Sequence, residues 1–270
     1  MLCALYKMNF CSRNLKEIGL IYRKIKIKKH IMINNKFCVI LTASIDPAGI
    51  NFLERTNINE RYSDYCKSVK KYLKELECPI VFCENSNFPI PNDSILLSKN
   101  KNYEFLQYFG QDFPREYGKG YGFMENIDFA IENSKFSKLG LKYIQITGRY
   151  DVKNIKKIMN FYKDKEFDIA CDLSENLSFA GAGFFIFSKD FFKNYLLPLK
   201  PKINDKSGFF FEHALALAVH KSMEKLKWHP FYYKPNIVGI SGTRNIKIKR
   251  RKFLSFLGDF RQKMKYFLLK

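Results

Sequence analysis

Two short stretches carry the residue types that can handle an anion. Tyr117-Gly118-Lys119-Gly120-Tyr121-Gly122 sets three glycines around one lysine. Glycine lets a backbone approach a ligand closely, and a lysine beside free amides suits an anionic group such as phosphate. Further on, Tyr143-Ile144-Gln145-Ile146 reads as a short buried strand that delivers a polar tip, Thr147-Gly148-Arg149. Each has a plainer reading when taken alone. The glycine hexapeptide serves as a tight turn, Lys119 as a solvated charge, and Arg149 as the partner of a nearby acid. Their pairing at one sheet edge is what points to a ligand.

The elements that must position them alternate between strand and helix. Residues 37–44 form a continuous apolar run ending in the small polar tip Thr42-Ala43-Ser44, the pattern of a strand buried on both faces. Asp46-Pro47-Ala48-Gly49 signals a turn. Residues 60–76 place Tyr62, Tyr65, Val69, Tyr72, Leu73 and Leu76 at helical spacing, and Ile80–Cys83 is a second buried strand ending in Glu84-Asn85-Ser86. Right-handed crossover puts both polar strand ends at one edge. The spacing predicts further strands at Phe105–Phe109, Tyr143–Ile146, Phe167–Asp172 and Gly183–Phe187. Helices are expected over 124–131, 151–163 and 214–225, with an extended segment at 231–240. Glu84-Asn85 equally suits a loop or a helix cap. Asp172 at a strand end either touches a ligand or closes a turn. In open α/β sheets ligands sit beyond the carboxyl ends of the strands, so the collected tips describe a nucleotide site.

A chain of 270 residues with 46% hydrophobic content can build a substantial core. Its net charge of +21 is concentrated at the ends: residues 1–31 carry +7 and residues 244–270 carry +9, leaving +5 for the centre. That distribution argues against a nucleic-acid groove across the fold. The tail repeats Phe253, Phe256, Leu257, Phe260, Met264, Phe267 and Leu268 at helical intervals behind Arg250-Arg251-Lys252, which suits an anionic membrane surface. A helix packing its apolar side on the domain is the plainer alternative, and an RNA-binding tail the other functional one. The seven cysteines form no CxxC pair and read as reduced, mostly buried thiols of a cytoplasmic protein. No apolar run reaches the length of a membrane span. The expected organisation is a basic extension (1–31, with a start near Met32), one domain (32–243) and a basic amphipathic tail (244–270).

In order and spacing, Val39–Ser44, Phe82–Ser86, Gly118–Gly122, Ile146–Tyr150 and Phe211-Glu212-His213 together resemble bacterial surface-polysaccharide glycosyltransferases of the GT-A type. The resemblance runs from about Phe37 to Thr243. It implies a Rossmann-like mixed α/β sheet with helices on both faces. It also implies a nucleotide-sugar donor and a lipid-linked glycan acceptor (lipopolysaccharide, O-antigen or capsule), met at the inner face of the cytoplasmic membrane. Thr42, Ala43, Ser44, Glu84 and Asn85 would hold base and ribose. Lys119, Gly120 and Gly122 would face the pyrophosphate or sugar. Thr147-Gly148-Arg149 falls where that family carries its Asp-x-Asp metal motif. No carboxylate pair occurs there: either Asp151 contributes to a manganese or magnesium site, or Lys119 and Arg149 supply the positive charge that a metal would give the diphosphate, and metal independence is the expectation. Glu212, then His213, fall at the position of the catalytic base. Glu212 read without the resemblance is a first-turn carboxylate stabilised by the helix dipole. A nucleotidyltransferase of similar layout, releasing pyrophosphate, is the other enzyme reading.

Overall fold

The computed structural model describes residues 36–50, 53–248 and 252–269, the last segment with side chains from Gly258 onward. The expected N-terminal extension and Met32, Cys3 and Cys11, and the Arg250–Leu257 side chains of the tail lie outside the described residues.

Alternation of side chains along β1 (Phe37–Ala43) explains why the sheet is covered on both faces. Cys38 and Ile40 point to one core, while Phe37, Val39 and Leu41 point to the other. The chain continues through α1 (Ile58–Glu75), β2 (Ile80–Glu84), β3 (Tyr103–Gln107) and α2 (Gly118–Asn133). It then passes β4 (Lys142–Thr147), β5 (Asp151–Val152), α3 (Ile155–Tyr162), β6 (Ile169–Ala170) and the small pair β7 (Leu173–Ser174) and β8 (Phe179–Ala180). Last come β9 (Phe184–Phe187), α4 (Phe211–Ser222), β10 (Trp228–His229), β11 (Ile237–Ile240), β12 (Lys247–Ile248) and α5 (Lys252–Leu269).

Seven strands form one sheet in the order β10-β6-β9-β4-β1-β2-β3. All its pairings are parallel except those of β9, which runs antiparallel to both β4 and β6. Helices α2 and α4 cover one face, built around Met124, Ile127, Phe185, Phe187 and Leu215. Helices α1 and α3 cover the other, around Tyr65, Val69, Tyr72, Ile144 and Ile158. The expected mixed α/β sheet with helices on both faces is therefore what the chain forms.

Several local expectations shift: the strand expected at Phe105–Phe109 is Tyr103–Gln107, and the helix expected over 151–163 is β5 followed by Ile155–Tyr162. The strand expected over 167–172 is confined to Ile169–Ala170, with Asp168 and Cys171 adding single backbone bonds to Lys227 and His229 and the Asp172 carboxylate turned to the Phe231 amide. The helix expected from Ala214 starts at Phe211 and ends at Ser222. The glycine-lysine stretch is the first turn of α2, not a free loop. Gly118 has φ +73°, a left-handed value that favours glycine, and the Asp205 side chain fills the space where a Cβ would project. Asp205 accepts the Lys119 amide at 3.1 Å, so the helix N-terminus is capped from within.

The thiols of Cys38, Cys78, Cys83 and Cys171 are buried and unbridged, and burial pushes those of Cys78 and Cys171 up to about 12. Among the described residues no helix is long and apolar enough to cross a membrane.

Candidate active site

The sheet delivers its polar tips to one place because β1 and β4 are pinned together at their carboxyl ends. Beyond the register pair Thr42–Thr147, the Gly148 amide donates to the Thr42 carbonyl at 2.9 Å. A Cβ on residue 148 would stand 2.6 Å from that oxygen, closer than real contacts allow. Gly148 thus turns the chain at van der Waals distance from β1 and throws Arg149 outward. Below this joint the fully buried Gln145 donates to the Thr42 hydroxyl at 2.9 Å.

A cavity of about 220 Å³ opens beside this joint. Its floor includes Thr42, Ala43, Ser44 and Asn85 from the strand ends, and Thr147 and Arg149 reach it from the tip of β4. Helix α2 contributes Lys119, Gly120, Gly122 and Asn126, and α4 contributes Phe211 and Glu212. Arg149 donates through Nη1 to the Ile240 carbonyl at 2.9 Å, which holds the guanidinium against the loop of Gly242. The Lys119 ammonium crosses the mouth to the Thr243 hydroxyl.

Four buried polar atoms around this cavity have no partner: Asn85 Oδ1, Asn126 Oδ1, Asp205 Oδ1 and Arg149 Nε. Buried polar atoms in folded proteins are almost always paired, so four around one cavity mark a place where a polar ligand completes the set. Asn126 is held by its Nδ2, which donates to the Ala43 carbonyl at 2.9 Å, leaving Oδ1 as an acceptor.

Electrostatics divide the cavity. Arg61 and Arg149 stand on one side, and burial lowers the Arg61 pKa, with Arg149 adding to the effect. On the other side burial raises the Glu212 carboxyl above its ordinary value; Asp205 adds to the rise and Lys119 opposes it. Asp205 is raised by burial as well, again against Lys119. A cavity lined by Arg61, Arg149 and Lys119, with the carboxylate of Glu212 close to Lys119, can bind an anion and take a proton beside it.

Of the residues expected from sequence, Thr42, Ala43, Ser44, Asn85, Lys119, Gly120, Gly122, Thr147, Arg149 and Glu212 all line this cavity. Gly148 acts behind them, as the hinge. The others are placed elsewhere. Glu84 is fully buried, and its carboxylate accepts the Ile45 amide at 3.0 Å and the Ser86 amide at 2.9 Å, tying two strand-end loops together. His213 accepts the Phe210 amide at 3.1 Å through Nδ1 and stacks on Phe210, closing the start of α4. Asp172 accepts the Phe231 amide at 3.1 Å and Gln262 Nε2 at 2.7 Å, beneath α5. The amides after Gly118 face Asp205, so they do not cradle a ligand as a free glycine loop would.

Sequence reasoning missed Arg61, Asp205 and Asn126. Arg61 occupies the apolar stripe of α1, one turn before Tyr65, and a charge on a buried stripe was the available signal. Asn126 likewise sits among buried positions of α2. Asp205 lies in a polar turn and gave none. Among the described residues no group of three or more His, Cys, Asp or Glu comes together.

No protein-family model matches the chain, and no curated protein matches it in sequence. Among solved structures it is similar to a candidate nucleotide-diphospho-sugar transferase from Desulfovibrio desulfuricans G20, at 12% identity and TM-score 0.40, over 86% of this chain and 98% of that one. It is similar to a glycosyltransferase involved in glycosylation of the major capsid of PBCV-1, at 12% identity and TM-score 0.41, over 73% and 84%. A cytidylyltransferase from Leptospira borgpetersenii is similar at 12% and 0.39, over 84% of each. Likeness at these values says nothing of chemistry, which rests on the cavity itself.

Proposed function

We propose that the domain is a GT-A-like glycosyltransferase that moves a sugar from a nucleotide-sugar to a lipid-linked surface glycan. The observation that carries this reading is the meeting of Lys119, Arg149 and the raised Glu212 carboxylate in one cavity at the carboxyl ends of β1 and β4. Lys119 and Arg149 supply the positive charge that a departing nucleoside diphosphate needs. Glu212 supplies the base. In an inverting transfer the acceptor oxygen attacks the anomeric carbon and Glu212 takes the hydroxyl proton. The bond from that carbon to the diphosphate oxygen breaks, and the electron pair leaves with the diphosphate. A carboxylate with a raised pKa is a better base for this step than a solvated one. The unpartnered oxygens of Asn85 and Asn126 suit the hydroxyl or N–H donors of a nucleoside or sugar.

The reading is tested by thermal denaturation with UDP-, GDP-, CMP- and dTDP-sugars, with manganese or with EDTA, for wild type and Lys119→Ala. A selective rise that the substitution abolishes supports a donor site. A rise that needs manganese keeps the class and gives the metal a part in donor binding. Release of pyrophosphate from a nucleoside triphosphate would make the protein a nucleotidyltransferase instead. No response to any donor in a folded protein would end the proposal.

A further inference from the structure

Helix α5 is turned the opposite way from an ordinary amphipathic helix. The face that meets the domain is polar and aromatic. Gln262 is buried and donates to Asp172, Lys265 donates to the Leu173 carbonyl at 2.9 Å, and the buried Tyr266 meets the Phe161 ring at 5.5 Å between centroids. At 3.6 residues per turn, Phe260, Met264, Phe267 and Leu268 fall on one stripe, on the side away from Gln262 and Tyr266. All four are exposed, Phe267 at 68% and Leu268 at 76%. Solvated apolar residues occur singly on any surface, but four in one stripe on a helix whose other face is already docked have gone uncovered.

The borders of the stripe are basic. By the same spacing Arg261 lies along one edge and Lys263 along the other. Residues 244–270 contain ten Lys or Arg and one acid. Aromatic and leucine side chains flanked on both sides by cations match the two layers of an anionic bilayer surface, where apolar groups enter the acyl boundary and cations meet phosphate.

We infer that the outward stripe of α5 is a binding surface for anionic phospholipid bilayers. Gln262, Lys265 and Tyr266 clamp the helix to the domain, so the lipid-facing stripe is presented on a rigid support. The surface stands independently of the chemistry in the cavity, and its test does not use the donor.

The test is co-sedimentation of the full chain with vesicles of equal parts phosphatidylcholine and phosphatidylglycerol, and with vesicles of phosphatidylcholine alone. Wild type is expected to sediment with the anionic vesicles, less so as salt rises. The variant F260S/F267S/L268S is expected to lose roughly tenfold or more in vesicle affinity, and R261E/K263E to lose a comparable amount on anionic vesicles only. Gln262, Lys265 and Tyr266 stay docked in both variants, so both should fold; the Tyr232 contacts of Phe267 and Lys263 are lost, and any lowering of the melting midpoint is measured beside the vesicle assay. Equal sedimentation of the serine variant and wild type would overturn the inference. So would a lipid-free wild-type dimer that the serine variant converts to monomer, because the stripe would then belong to a second copy.

Discussion

The carboxylate of Asp205 accepts the backbone amide of Lys119 at 3.1 Å, so the residue that offers its ammonium to the cavity has its backbone bound by an acid. The helix dipole at the start of α2 is therefore answered from within the protein, and what remains for a ligand is the side chain. Asp205→Ala should cost about 0.5–2 kcal/mol in urea unfolding, the range of a lost helix cap. Asp205→Asn keeps an acceptor oxygen and should cost less. Equal losses in the two variants would mean that Asp205 acts through its charge and not as a cap.

Glu212 offers a two-part prediction. Glu212→Gln should lower kcat by roughly 10²–10⁴-fold, the usual contribution of a positioned base. Stability should move the other way. The folded protein holds the Glu212 proton more tightly than the unfolded chain does, because burial raises its pKa. That stabilising contribution is complete below the ordinary carboxylate range and disappears as pH rises through the raised folded value. At neutral pH the glutamine variant, which never ionises, should therefore melt higher than wild type. The gain should follow a scale of roughly 2–4 °C per kcal/mol. Below about pH 4 the two should converge. A glutamine variant that melts lower than wild type at neutral pH would contradict this account.

Removing Lys119 acts on the reaction through charge. Lys119→Ala should reduce kcat by roughly 10²–10³-fold if the ammonium meets the leaving diphosphate. Lys119 also opposes the rise in both Glu212 and Asp205. Without it both carboxyls climb further, so the acid limb of the pH–rate profile should shift to higher pH. Arg149→Ala should lower the rate with a smaller shift, since Lys119 is the main cation opposing the rise in Glu212. Matching pH profiles for the two variants would refute the separation of roles.

The sheet was legible from sequence where the physics is local. Val39–Leu41 and Ile80–Cys83 are continuous apolar runs because both faces are covered, and burial alone predicts such runs. The polar tips were legible for the same reason, since Thr42, Glu84-Asn85 and Thr147-Gly148-Arg149 follow the apolar stretches of β1, β2 and β4. The glycine-lysine stretch lines the cavity as the first turn of α2, where its composition suggests a free loop. Gly120 faces the Phe211 backbone at 3.1 Å from an ideal Cβ, so this glycine serves close helix packing and not loop freedom. Glu84, His213 and Asp172 have the chemistry of site residues; His213 is claimed locally by the Phe210 amide three residues earlier, whereas Glu84 and Asp172 are claimed by long-range partners at Ile45 and Gln262. No sequence spacing encodes such partners. The same limit hid Asp205, whose role exists only once α2 has docked beside it.

Gly148 tests whether the joint between β1 and β4 organises the cavity. Its amide bonds the Thr42 carbonyl, and a Cβ there would lie 2.6 Å from that oxygen and 3.2 Å from the Tyr65 ring. Neither neighbour yields easily: one is strand backbone, and Tyr65 is buried and bonded to Ser44. Gly148→Ala must therefore push the tip of β4 away from β1. The expected cost is about 1–3 kcal/mol, in the range of other overpacked sites. The displacement moves Arg149 relative to Thr42, so donor-dependent thermal stabilisation should weaken by more than the loss of stability explains. Gly181→Ala is the control, because a Cβ there meets nothing within 4 Å. If the two alanine variants melt alike and respond alike to donor, the joint does not set the geometry of the cavity.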